Sequence, residues 1–235
     1  MKKALYILTF CIAVLALLLD IQNNHYYIIA VSLTTACILL ITAIYGDTEN
    51  QKYLRYITFG FICCFIADLF PFFSHNFVWE MTFYILAKAL FAEAFRSYGS
   101  LKLNYKIVGV LALFGLSVFI YLSSALGEFL VPAGLYLGMM LYMSWAGIAL
   151  HKTGKLKNSK WVLFAIILWF VCELLSALDR YGLNSILVGL FVHISYWTAL
   201  AFIGFSAISS FSFSSKKCTT YENLFSQKVD LNSMN

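Results

Sequence analysis

The chain has 235 residues with a formal net charge of +5, and its composition of 62% hydrophobic and 11% charged residues excludes an ordinary soluble globular domain. Mean hydropathy is +0.83, and apolar runs of about 20 residues, the length that a helix needs to cross a membrane, recur along the sequence. Because the basic residues lie between these runs, the positive charge indicates membrane orientation, and no nucleic-acid partner is expected.

The apolar runs predict an all-α, polytopic membrane domain of eight transmembrane helices over residues 1–210. The first run follows a basic start and lacks a small-residue cleavage site, so it is interpreted as an uncleaved first span. The predicted helices are 4–19, 26–45, 56–73, 77–95, 107–126, 129–150, 161–178 and 186–209. The polar residues 211–235 are predicted to form a disordered cytoplasmic tail.

Lysine and arginine residues are concentrated in alternate loops of the predicted bundle. They precede helix one, separate helices two and three, four and five, and six and seven, and follow helix eight, whereas the opposite loops contain one basic residue, Arg180. Cytoplasmic loops of membrane proteins are enriched in these residues. The sequence therefore predicts a multi-pass protein of the cell membrane with both termini in the cytoplasm.

Two pairs of ionisable residues interrupt the apolar pattern at matching positions. An ungapped offset of 105 residues aligns Asp68 with Glu173 and Lys88 with His193. A charged side chain at the centre of a bilayer costs about 3 kcal/mol or more, so such residues indicate a functional site. Because the offset spans four helices, the two halves are predicted to be parallel repeats.

Position along the helices determines whether these four side chains can meet. Asp68 and Glu173 each lie about 18 Å from the cytoplasmic end of their predicted helices. Lys88 leans toward the level of Asp68, because helical side chains tilt toward the N-terminus of the helix. The four residues are predicted to form one constellation. The alternative is that Asp68–Lys88 and Glu173–His193 are ion pairs between helices that hold the bundle together.

Aromatic residues continue from both bases along one face of each helix. Spacings of i, i+3, i+4 and i+7 relate Lys88 to Phe91, Ala92 and Phe95, and His193 to Tyr196, Trp197 and Leu200. Each face is suited to holding a lipid chain, and the alternative is ordinary helix packing. Four further ionisable residues are expected nearer the membrane surfaces: Glu80, Glu93, Asp179 and His75.

The two carboxyl groups suggest acid-catalysed hydrolysis. In a poorly hydrated site without nearby cations both cannot stay ionised, so one is expected to be protonated and able to donate a proton. The sequence leaves open whether Asp68 or Glu173 is the acid. A small-solute or proton-coupled transporter is the competing hypothesis, because parallel repeats with ionisable groups inside the membrane also suit alternating access.

Several short motifs resemble those of a known family. They are Gly60, Ala67-Asp68-Leu69, the series Phe83, Ala87-Lys88, Phe91 and Phe95, the pair Cys172-Glu173 with Ala177, and Ser195-Tyr196-Trp197 with Ala199 and Ile203-Gly204. Together they resemble the YhhN-like family of eight-helix membrane proteins. Members of that family have Gly-Asp at Ala67-Asp68, Ser-Asp at Cys172-Glu173, His at Lys88, Tyr at Phe91 and Gln at Leu200.

The characterised members of this family are lysoplasmalogenases. The resemblance therefore implies a membrane lipid hydrolase that cleaves the vinyl ether bond of a lysoplasmalogen, with Asp68 and Glu173 as the acid/base pair and no metal or organic cofactor. The candidate residues for binding the lipid are Lys88, Phe91, His193, Tyr196 and Trp197. The departures at Lys88, Phe91 and Leu200 leave a third possibility, a catalytically silent lipid-binding relative.

Overall fold

A computed structural model describes residues 2–22, 24–47, 49–73, 77–99, 105–179 and 185–208. Within these ranges every regular element is helical, and eight α-helices follow one another along the chain. They are α1 (Lys2–Ile21), α2 (Tyr27–Tyr45), α3 (Gln51–Phe73), α4 (Phe77–Arg96), α5 (Tyr105–Leu126), α6 (Leu130–Thr153), α7 (Ser159–Leu178) and α8 (Ile186–Ser206), with a 3-10 helix (Gly127–Phe129) between α5 and α6. The prediction of an all-α fold with eight helices is confirmed. The predicted tail, His75 and Arg180 lie outside the described residues.

Six of the described helices, α1, α2, α3, α6, α7 and α8, are long and apolar enough to cross a membrane. Helix α4 carries Glu80, Lys88 and Glu93 within its length, and the apolar stretch that qualifies in α5, Tyr105–Tyr121, is shorter. The chain is thus a multi-pass membrane protein. The eight-span topology, the parallel repeat and the cytoplasmic termini stay predictions.

Helices α3 and α6 extend beyond their predicted bounds, and each extended end has a capping residue. The side-chain oxygen of Asn50 accepts hydrogen bonds from the backbone N–H groups of Lys52 (3.1 Å) and Tyr53 (3.2 Å), which is the arrangement of an N-cap. Helix α6 ends at Thr153, and the next residue, Gly154, has a φ of 65°, which lies in the left-handed region that glycine adopts without strain.

The helices pack in a chain of neighbours: α1 on α2, α2 on α3 and α8, α3 on α4, α4 on α6, and α7 on α8 and α6. Large buried side chains fill the centre, among them Tyr53, Phe61, Phe95 and Trp169. Apolar residues also cover much of the outer surface of α1 and α5. An apolar exterior of this kind is what contact with lipid requires.

Helices α3 and α4 approach each other closely at Gly60. A Cβ atom added to Gly60 would clash with the ring of Phe91, which is fully buried between Phe61 and Trp169. We expect Gly60→Ala to lower the free energy of unfolding by roughly 1–3 kcal/mol, because a ring that is packed on both sides has to move. Thermal unfolding in detergent measures this loss.

Gly138 in α6 is the matched control, because an added Cβ there meets no atom within 4 Å. Gly138→Ala should leave stability unchanged or raise it by up to about 1 kcal/mol, since alanine favours the helix. Equal losses in the two variants would contradict close packing at Gly60.

Candidate functional site

A cavity of about 740 Å³ lies inside the bundle, with walls from α2 to α8. Pockets that hold one small ligand typically measure about 300–1,000 Å³. Its polar lining includes Asp68, Tyr84, Tyr136, Glu173, His193 and Tyr196. The rest of the lining is mostly apolar and comes largely from α5, α6 and α7. The cavity therefore offers a polar region and an apolar region to one molecule.

Asp68 of α3 is almost fully buried and is held by hydroxyl groups from three other helices. Thr35 of α2 donates a hydrogen bond to Oδ2 (2.5 Å), Tyr84 of α4 donates to Oδ1 (2.5 Å), and Tyr196 of α8 donates to Oδ1 (3.0 Å). Among the residues that the structure describes, no basic side chain forms an ion pair with Asp68. Its polar partners are therefore all neutral.

Glu173 of α7 has a cationic partner instead. Its Oε1 atom lies 3.1 Å from Nζ of Lys88, accepts a hydrogen bond from Nε1 of Trp169 (2.9 Å) and accepts another from the hydroxyl of Tyr136. Lys88 is fully buried, whereas 26% of the Glu173 side chain is exposed. The carboxylate thus faces the cavity, and the ammonium group lies behind it.

Aromatic groups and one hydroxyl surround the buried ammonium group of Lys88. Nζ donates a hydrogen bond to the hydroxyl of Tyr136 (2.7 Å) and lies 3.9 Å from the centroid of the Tyr136 ring and 5.0 Å from that of Trp169. Cation–π contacts of this kind stabilise a charge that water does not reach. A buried lysine is tolerated when it is paired in this way.

Neither ion pair of the alternative interpretation, Asp68–Lys88 or Glu173–His193, forms in the structure. Lys88 pairs with Glu173 instead of Asp68, and the nearest acidic atom to His193 is Oδ2 of Asp20, 3.7 Å from Nε2. The positions of these residues along their helices indicated which of them lie at a similar level. They did not indicate how α4 is rotated about its axis, and this rotation directs Lys88 toward α6 and α7. The structure nevertheless brings Asp68, Glu173 and His193 to one cavity, with Lys88 in direct contact with Glu173.

The aromatic faces that follow Lys88 and His193 mostly serve packing. Phe91 is fully buried, and Trp197 is 6% exposed and stacks on His193; neither borders the cavity. Of the Phe, Tyr and Trp residues on the two faces, Tyr196 borders the cavity. Ordinary helix packing, the alternative to lipid-chain binding, thus describes the positions of Phe91 and Trp197.

Two of the four peripheral candidates reach the cavity, namely Glu80 and Asp179. Glu93 instead forms a 2.7 Å ion pair with Arg96 at an exposed end of α4.

Four residues of the site were not predicted from the sequence, namely Thr35, Tyr84, Tyr136 and Trp169. Tyr84 and Trp169 each lie four residues before a predicted site residue, Lys88 and Glu173, and the i, i+4 spacing could have identified them. Tyr136 lies between Gly134 and Gly138, a pair that suggests only close helix packing. Thr35 gave no signal, because threonine is common in membrane helices.

The donors at the cavity favour proton transfer and hydrogen bonding. The acceptors are carboxyl groups, and the donors are hydroxyls, one indole N–H and the ammonium group behind Glu173. Within the described ranges, no three His, Cys, Asp or Glu side chains are arranged to hold a metal ion.

The fold and the cavity define a multi-pass membrane protein with an internal site that four acidic residues line, Asp68, Glu80, Glu173 and Asp179. A model of the YhhN family matches residues 26–207, which include α2 to α8, and the chain belongs to that family. The family resemblance predicted from the motifs is thereby confirmed. No curated protein and no solved structure gives a significant match to the chain.

Proposed function

We propose that the protein is a membrane lipid hydrolase that cleaves the vinyl ether bond of lysoplasmalogens, as the family resemblance implies. The observation that carries the proposal is that Asp68 and Glu173 border the same cavity with different partners. Acid-catalysed hydrolysis requires a proton donor and a group that stabilises developing positive charge. Two carboxyl groups in unlike surroundings can divide these tasks.

The surroundings suggest which carboxyl has which role. Lys88 compensates the negative charge of Glu173 at 3.1 Å, so we assign the ionised form to Glu173. Asp68 has only hydroxyl partners, and a neutral carboxyl group can accept three hydrogen bonds and still donate its own proton. We therefore assign the proton donor to Asp68.

The reaction then follows in three steps. Asp68 gives its proton to the vinyl carbon that is not bonded to oxygen, and the double-bond electrons form the new C–H bond. The adjacent carbon and the ether oxygen share the positive charge, which Glu173 stabilises. Water adds to that carbon and Glu173 accepts its proton, giving a hemiacetal. Asp68 then accepts the hydroxyl proton of the hemiacetal, the C–O bond breaks, and Glu173 gives its proton to the glycerol oxygen, so that a fatty aldehyde and the glycerophospho head group are released and both carboxyl groups return to their starting states.

Other candidate residues support this site in different ways. Tyr196 positions Asp68 through its hydrogen bond, and His193 borders the cavity and is assigned to substrate binding. Lys88 acts through Glu173. Phe91 and Trp197 contribute through core packing. The chemistry needs no metal or organic cofactor.

The test is aldehyde release by the purified protein in lipid vesicles. We expect aldehyde from a lysoplasmalogen and none from a lysolipid with a saturated ether at the same position, because only the vinyl group can be protonated on carbon. A matched acyl lysolipid completes the series. Fatty acid release from that lipid without aldehyde from the first would contradict the proposal and indicate an ester hydrolase.

The same vesicles test the competing functions. Solute-dependent proton flux without aldehyde would indicate a transporter. Lipid binding with neither activity would indicate a catalytically silent relative.

A further inference from the structure

Helix α5 lies at the edge of the bundle, yet it forms part of the cavity wall. Among the described helices, it packs along α6 and the adjoining 3-10 helix and has no extensive contact with α7. Both α5 and α7 nevertheless line the cavity, through Phe114 and Val118 on α5 and Phe170 and Leu174 on α7. The cavity wall between these helices therefore consists of side chains that are not backed by close helix packing.

The side chains of this wall also face outward. Phe114 is 46% exposed and Leu174 is 42% exposed, although both line the cavity. The rings of Phe114 and Phe170 meet edge to face across the gap, with centroids 5.7 Å apart and an interplanar angle of 78°. We call the gap between α5 and α7, with these two rings and Leu174, the α5–α7 seam.

The outer surface beside the α5–α7 seam is apolar on both helices. Leu113 and Leu116 on α5 and Ile167 and Val171 on α7 are exposed. Such a surface lies against the hydrocarbon of the bilayer. Whatever enters the cavity through the seam therefore comes from the lipid phase.

The distance from the seam to the carboxyl groups is short. Phe170 precedes Glu173 by three residues, which is about 4.5 Å along the helix axis. A molecule with one hydrocarbon chain can thus keep the chain in the seam while its polar end reaches Asp68 and Glu173. A cavity of about 740 Å³ is of a size that holds one small ligand, which favours one chain over two.

We infer that the α5–α7 seam is a lateral entrance through which the single hydrocarbon chain of a lysolipid passes from the bilayer into the cavity. The contact between Phe114 and Phe170 closes this entrance and has to open for the chain to pass. The identity of the lipid as a lysoplasmalogen rests on the proposed function; the entrance itself requires only a single-chain lipid.

Reversible cross-linking of the seam tests the entrance. Phe114→Cys and Phe170→Cys are combined in a background with Cys11→Ser and Cys218→Ser, and the two thiols are joined by a short bifunctional thiosulfonate that a reductant cleaves. We expect the linked protein to release aldehyde from vesicle-borne lysoplasmalogen at roughly one tenth of the rate of the cleaved protein or at a lower rate. The reason is that a seam held closed prevents access to the cavity. Reductant should restore the rate.

A second cysteine pair controls for general stiffening. Phe164→Cys and Phe202→Cys join α7 to α8, where the native rings also meet with centroids 6.1 Å apart, and neither residue lines the cavity. Linking this pair should leave the rate unchanged. Equal inhibition by both links would overturn the assignment of the entrance to the seam.

Binding of a radiolabelled single-chain lysolipid separates the entrance from the proposed function. The linked seam should slow lipid uptake whether or not turnover occurs, and Phe114→Ala, which widens the seam without a cross-link, should speed it. If the linked protein takes up lipid as fast as the cleaved protein, the inference that the seam is the entrance is wrong. Absence of aldehyde in every sample, with uptake still slowed by the link, would refute the lysoplasmalogenase proposal alone.

Discussion

Asp68→Asn and Glu173→Gln are each expected to lower the rate of aldehyde release by about a hundredfold or more, the usual size of a lost general acid or base. The amide oxygen at position 68 can accept hydrogen bonds from Tyr84 and Tyr196, and the amide NH2 group can donate to the hydroxyl oxygen of Thr35, so the surroundings are retained while the transferable proton is lost. An amide at position 173 removes the negative charge that stabilises the oxocarbenium ion. The measurement is initial aldehyde release from lysoplasmalogen in vesicles at saturating lipid.

Two conservative changes outside the cavity serve as controls. Asp47 lies between α2 and α3, and Glu93 forms an exposed ion pair with Arg96; neither lines the cavity. Asp47→Asn and Glu93→Gln should keep the full rate. Undiminished turnover in Asp68→Asn or in Glu173→Gln would remove that carboxyl group from the mechanism.

The sequence was sufficient to predict the helices and both acidic residues. Apolar runs of membrane length predict α1 to α8 because a helix has to satisfy its backbone hydrogen bonds within the bilayer. Asp68 and Glu173 are recognisable because an acid inside such a run is costly. Both signals depend on one segment at a time, so no knowledge of the neighbouring helices was needed.

The partners of the acids could not be predicted in the same way. They depend on how each helix is rotated about its axis and on which helices are neighbours. Tyr84, Tyr136 and Thr35 are neutral and do not disturb an apolar pattern, so nothing marks them until the helices are packed. The pairing of Lys88 with Glu173 instead of Asp68 could not be predicted for the same reason.

The 105-residue offset aligns Asp68 with Glu173, but the two carboxyl groups have different kinds of partner. Asp68 is held by hydroxyls, whereas Glu173 is held by an ammonium group, and His193, the counterpart of Lys88, lies beside Asp20. The two positions that the offset aligns therefore have different partners. In the proposed mechanism, this difference allows one carboxyl group to carry a proton while the other stays ionised.

The ion pair of Lys88 with Glu173 predicts a specific pattern of stability. Lys88→Met keeps an unbranched side chain of similar length but leaves Glu173 without its counter-charge, so the free energy of unfolding should fall by roughly 1–3 kcal/mol. The loss stays within this range because Glu173 faces the cavity, where water can reach the carboxylate. Thermal unfolding in detergent measures it.

Combining Lys88→Met with Glu173→Gln should recover much of that loss, because neither charge is then left uncompensated. Combining Lys88→Met with Asp68→Asn should instead give nearly the sum of the two single losses, since Lys88 forms no ion pair with Asp68 and the two residues share only their contacts with Tyr84. The two double variants differ only in which acid loses its charge, so they separate a specific pair from a general benefit of lower buried charge. Recovery with Asp68→Asn and simple addition with Glu173→Gln would mean that Lys88 compensates Asp68, and the roles assigned to the two acids would then have to be exchanged.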